Sequence, residues 1–412
     1  MAEVQARPAH DGVALAARHA LAWLVLGNAV GLWLALLLVW PQMQTGEWTY
    51  GRWVPVHLNV QLYGWTSLPL VAWLFHIYEV NRSKVAAWAP AVVWAWSAAL
   101  AIAALHWLNG NTSGKIFLDW RGGALWGWVV AMIMLWLVLA LAWRERAAGW
   151  SPWRRAVSLL GVLVLATVPA AMAYAASPAV YPQVDVTSGG PTGSSLLGST
   201  LMVVTLMMML PRVGVATGTG RAGWWVWTYL VNCWLIFGVA ESLGGTHYQF
   251  HQIGTMLVLL PWAWIVPWDW EAFNWPPGSR VWRVALFAWW ATLVLSAVTM
   301  YLPGLLDRFK FTQGLVAHSH LAMAGFTTSL CALLLVLVTG RTLGSRGSVA
   351  AWHVALLVML LVLVAMGWRE GGDFSWMAVM PGWRMAGLIL RAACGTVLFG
   401  VALIWFKNWS LS

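Results

Sequence analysis

From Ala20 to the C-terminus the chain alternates long apolar runs with short polar breaks. Each run approaches the ~20 residues that an α-helix, rising about 1.5 Å per residue, needs to cross a hydrocarbon layer about 30 Å thick. Twelve such runs start near Ala20, Val54, Val85, Ala124, Ala156, Ser195, Trp224, Gln252, Val284, Phe311, Val349 and Met385. The pattern predicts an all-α fold, a polytopic membrane bundle of about twelve transmembrane helices. Pro261 and Pro267 interrupt the eighth run. The polar breaks are too short and turn-rich to fold alone, even SPAVYPQVDVTSGGPTG, and no repeat of solenoid length recurs. Residues 1–412 read as one transmembrane domain.

The breaks also carry the charge. Numbering alternate loops from the N-terminus puts fifteen Lys and Arg on the N-terminal side, among them Arg82, Arg154, Arg212 and Arg341, and seven on the other. The excess marks the N-terminal side as cytoplasmic, in an inner membrane. The formal charge of +10 therefore reflects topology, and no nucleic-acid partner is expected. MAEVQARPAHDG is polar and the run after it is too long for a cleavable leader, so the first span is expected to remain as an anchor.

Composition agrees, with 61% hydrophobic and 9% charged residues. Many of the 36 tryptophans, such as Trp40, Trp53, Trp268 and Trp368, fall near expected span ends, as in an interfacial belt. Cys233, Cys331 and Cys394 stand alone, which argues against covalent c-type haem attachment and against a disulfide framework.

The chemistry lies in the histidines. In GLVAHSHLAMAG, His318 and His320 are two apart, so on a helix they point about 200° apart and cannot address one centre. If both bind metal, they flank two different centres. His57, in PVHLNVQLYGW, sits about one turn into the second span, at the same depth as the tenth-span pair. Two imidazoles from two helices can grip one haem iron, leaving the third for an iron with an open face. Isolated His76, His106 and His353 read as interhelical hydrogen bonders.

At these residues the chain resembles subunit I of the haem-copper respiratory oxidase superfamily, most like the cbb-type oxidases and the bacterial nitric oxide reductases. HLN opens the second span, KIFLDW follows the third, AHSHLAMAG lies in the tenth and LRAACGTVLFG in the last. The resemblance implies His57 and His320 as the axial pair of a low-spin b haem and His318 as proximal ligand of a high-spin haem. Family members add a copper or non-haem iron held by one sixth-span histidine and an adjacent seventh-span pair. Here the sixth span has no histidine, and the seventh ends in VAESLGGTHYQFHQIG, so the copper site is degenerate.

Three roles stay open for Glu241, the one carboxylate assigned to a span. It could complete a non-haem metal site with His247 and His251, which share a helical face, accept protons near the gas site, or pair with a buried arginine such as Arg391. Arg391, Arg384, Arg369 or Arg308 would meet haem propionates. The resemblance implies a membrane oxidoreductase that takes electrons from a c-type cytochrome, as a subunit or a soluble donor on the outer side, and reduces dioxygen or nitric oxide. Two rival readings are a non-catalytic haem electron conduit or gas sensor, and a transporter with substrate at broken helices. Proton pumping is not expected, because the inner halves of the spans carry scattered Ser and Thr and no carboxylate.

Overall fold

The computed structural model describes residues 11–177, 179–180, 196–213, 216–243, 254 and 256–411. The protein is an all-α, polytopic membrane bundle. Among the described residues eight helices are long and apolar enough to cross a bilayer, and the remaining expected spans are helical in part. The helices are α1 (Gly12–Val39), α2 (Tyr50–Asn59), α3 (Ser67–Ile77), α4 (Ala89–Leu108), α5 (Gly122–Arg146), α6 (Pro152–Ala176) and α7 (Leu196–Met209). They continue with α8 (Trp224–Ser242), α9 (Trp262–Trp270), α10 (Arg280–Met300), α11 (Gln313–His320), α12 (Thr328–Thr339), α13 (Arg346–Glu370) and α14 (Gly382–Leu411).

Two spans are composite. A π-helical stretch, Val60–Thr66, joins α2 to α3, and a second, Leu321–Thr327, joins α11 to α12. Wide turns of this kind are rare and cluster at functional sites. In both, the first hydroxyl beyond the stretch bonds back five residues, Ser67 Oγ to Leu62 O at 2.9 Å and Thr328 Oγ1 to Met323 O at 3.0 Å.

Expected and observed boundaries differ where polar residues join a helix. The first helix begins at Gly12, eight residues before the apolar run, because Asp11 caps it by accepting from Ala14 N at 3.0 Å. In the eighth span, Pro261 is the N-cap of α9, where its missing N–H costs nothing, and Pro267 lies inside the helix.

Burial separates centre from rim. Thr328 to Val336 are buried without a break, so α12 is enclosed by protein on every side. In α6 only Val162 and Ala176 are buried, and Leu160, Leu163 and Tyr174 face outward, as on a lipid-facing rim. Tryptophan serves both regions. Trp40 and Trp368 are exposed, but Trp65, Trp107, Trp290 and Trp352 are fully buried, several with the indole N–H on a backbone carbonyl, such as Trp352 to Ala324 O at 3.0 Å.

Some charged groups inside the bundle are paired. Glu241 is half-buried at the end of α8, and it is not alone in a helix: Asp269 in α9 and Glu370 at the end of α13 are buried too. Asp269 holds Arg212 through two bonds of 2.7 and 2.9 Å and accepts from Ala222 N at 2.7 Å, tying the end of α7, the approach to α8 and the end of α9.

Candidate functional site

His57 is the eighth residue of α2 and His320 the eighth residue of α11. Both helices start on the side opposite the N-terminus, so equal positions give equal depth, about 10 Å in. Between them lies a cavity of about 100 Å³ lined by both imidazoles.

The imidazoles are oriented by backbone. His57 Nδ1 lies 2.9 Å from Gly27 O, and His320 Nδ1 lies 2.8 Å from Val316 O. A carbonyl only accepts, so each Nδ1 carries its proton and each Nε2 keeps a lone pair. Metal-binding histidines are commonly fixed in this manner, with the far nitrogen on a carbonyl and the near one on the metal. Glycines make room: a Cβ on Gly31 would stand 2.6 Å from His57 Cε1, and one on Gly27 would stand 2.6 Å from Gln61 Cδ. Only glycine lets α1 approach α2 so closely.

The rest of the wall gathers distant segments. Leu58 comes from HLN, Phe117 from KIFLDW, Met323 and Ala324 from AHSHLAMAG, and Arg391, Gly395 and Leu398 from the last helix. Two of these motifs also touch directly. Asn59 Nδ2 donates to Asp119 Oδ2 at 2.8 Å within the core, and Tyr63 Oη donates to Phe117 O at 2.7 Å. Phe117 sits at φ +65°, a left-handed conformation costing a bulky residue about 1–3 kcal/mol. The surrounding bonds hold that loop over the cavity. Burial pushes the Asp119 carboxyl above its ordinary value, opposed by hydrogen bonds from Thr112 and Asn59. At the other end Trp65 Nε1 donates to Thr328 Oγ1 at 3.0 Å, tying the two composite spans together.

Of the four candidate arginines, Arg391 alone lines the cavity. It is buried, and its Nη1 donates to Gln313 Oε1 at 3.0 Å. Arg384 is paired with buried Glu370 at 2.8 Å. Arg308 stacks on Trp368 at 3.9 Å, and Arg369 lies 5.5 Å from the Trp383 ring. Glu370 also accepts from Gln313 N at 2.7 Å, placing a carboxylate on the N-terminus of the helix that bears the histidines.

His318 does not line this cavity. Its Nδ1 lies 3.2 Å from Ser296 Oγ on α10, on the other side of the helix from His320's cavity. His247 and His251 lie outside the described residues, and among the described residues no group of three metal-binding side chains converges. His353 accepts from Trp289 Nε1 at 3.0 Å, an interhelical bond.

Sequence reasoning missed Gly27, Gly31, Gln313 and Glu370. The glycines had a signal, since GNAVG is a small-xxx-small pattern that marks close helix approach. Glu370 had none, because an acid at a span end reads as solvated.

No protein-family model matches the chain, and no curated protein matches it. Among solved structures, a haem-copper terminal oxidase dimer determined by cryo-electron microscopy aligns with 99% of this chain and 85% of its own, at a TM-score of 0.64 and 12% identity. The chain has that fold. At so low an identity the likeness is one of architecture, and the chemistry has to be argued from the residues.

Proposed function

We propose that the protein is a membrane oxidoreductase of the haem-copper oxidase type, nearest in character to the cbb-type oxidases and nitric oxide reductases. One observation carries the reading: four motifs far apart in sequence line one cavity, and two imidazoles there present unprotonated Nε2 atoms. His57 and His320 would hold a low-spin haem, b-type by resemblance, which would supply one-electron transfer. Arg391, a buried guanidinium that donates to the neutral Gln313 amide, suits a propionate. Arg384 and Arg369 keep partners of their own, so Arg384 would act by holding Glu370.

His318 would hold the second, high-spin haem on the α10 side, where a small gas, dioxygen first and nitric oxide second, is reduced. Glu241, His247 and His251 remain the proposed donors to a non-haem copper or iron, with Glu241 and His247 as the catalytic candidates. Electrons would come from a c-type cytochrome, subunit or soluble, on the side opposite the N-terminus, with the N-terminus in the cytoplasm of an inner-membrane protein.

A second reading, a haem electron conduit or gas sensor without a copper site, has its own support: α7 contains no histidine, cysteine or carboxylate. Metal analysis separates the two. Two haems with one copper or non-haem iron per chain favour catalysis, and two haems alone favour the conduit. The haem assignment is tested by His57→Ala and His320→Ala, each expected to remove the low-spin spectrum and leave a high-spin haem. His318→Ala should abolish carbon monoxide binding to the reduced protein. Unchanged spectra in all three would overturn the reading.

A further inference from the structure

A second cavity, of about 410 Å³, opens on the face where α1 begins, among the starts of α1 and α6 and the ends of α3, α12 and α14. Three guanidiniums line it, Arg82, Arg154 and Arg341. Two acids share the wall, and both already accept hydrogen bonds, Glu79 in part from Arg154 of the same cavity. Asp11 Oδ1 accepts from Ala14 N and from Asn81 Nδ2, each at 3.0 Å. Glu79 accepts from Arg146, Arg154 and Trp150 Nε1 at 2.9–3.1 Å.

Two of the arginines also brace the wall. Arg154 gives one terminal nitrogen to Ile77 O at 2.7 Å and Glu79 at 2.9 Å. Arg341 donates to Trp409 O at 2.8 Å and lies 4.2 Å over the Trp409 ring. Arg82 is exposed. With three guanidiniums against two carboxylates the wall keeps a positive excess, which favours an anion.

We propose that this cavity binds the phosphodiester headgroup of an anionic phospholipid from the leaflet on the N-terminal side. The chemistry that selects it is arginine forks for the phosphate, set beside the part-exposed apolar Ile77 and Val338 for the first part of the acyl chains. Basic pockets between the ends of transmembrane helices bind anionic lipid headgroups in this manner. A free phosphate would use the same arginines but not the apolar wall. The site is separate from the histidine cavity and uses none of its residues.

The test uses the delipidated full chain in detergent, with dioleoyl-phosphatidylglycerol, dioleoyl-phosphatidylcholine or inorganic phosphate added, read by native mass spectrometry and by the midpoint of thermal unfolding. Phosphatidylglycerol is expected to be retained and to raise the midpoint, and phosphatidylcholine and phosphate to do neither. Arg82→Gln, a change at an exposed residue, should weaken retention about fivefold, the loss of one basic group near an anionic headgroup. Arg82→Lys should restore most of it. Equal retention of phosphatidylcholine, an equal shift with phosphate alone, or undiminished binding to Arg82→Gln would each overturn the proposal.

Discussion

Gly31→Ala offers a sharp test of the histidine cavity, because the whole perturbation is one methyl group. The new Cβ would stand 2.6 Å from His57 Cε1, 3.1 Å from Nδ1 and 3.4 Å from Nε2. Ordinary contact begins near 3.4 Å, so the imidazole must retreat by about 0.8 Å. Directed along the bond to Gly27, that retreat stretches 2.9 Å to about 3.7 Å, beyond hydrogen-bond range. Overpacking costs about 1–3 kcal/mol, and leaving the buried groups unbonded about 1–3 kcal/mol more. Alanine's better helix propensity returns at most about 1 kcal/mol. The loss should therefore be about 1–5 kcal/mol, together with displacement of the Nε2 that the haem reading requires. Gly400→Ala is the control, since a Cβ there meets nothing within 4 Å. Thermal unfolding in detergent measures the first effect, and the low-spin absorption spectrum the second. If Gly31→Ala unfolds at the same midpoint as Gly400→Ala and keeps the spectrum, the packing argument is wrong.

Two further outcomes follow from paired charges. Asp269→Asn removes the partner of a half-enclosed Arg212 and should destabilise by about 3–5 kcal/mol, read as a lowered thermal midpoint; a shift equivalent to less than about 1 kcal/mol would refute the clasp. For Glu79, burial raises the carboxyl's pKa, but hydrogen bonds and charge from Arg146 and Arg154 outweigh it and hold the value below the ordinary range. Its contribution to stability is then complete above the ordinary glutamate value and lost as pH falls through the depressed one. Glu79→Gln should flatten that acid-side decline in a pH series of unfolding midpoints, and an unaltered profile would count against it.

The apolar periodicity determined the bundle by itself, because only helices satisfy their own backbone in hydrocarbon and ~20-residue runs set their lengths. It also determined that His318 and His320 look in opposite directions, since 100° per residue is a property of any helix. The shared depth of His57 and His320 was legible too, from two spans that start on the same side. What the tertiary structure decided is which helices stand next to one another. Gly27 and Gly31 seat α1 against α2 and so fix the His57 ring, and Glu370 caps α11 from across the bundle. Arg391 faces the cavity while Arg384 is drawn to Glu370, although both lie near the start of one helix. Contacts of that kind depend on packing between residues of different helices, and a linear pattern carries no record of them.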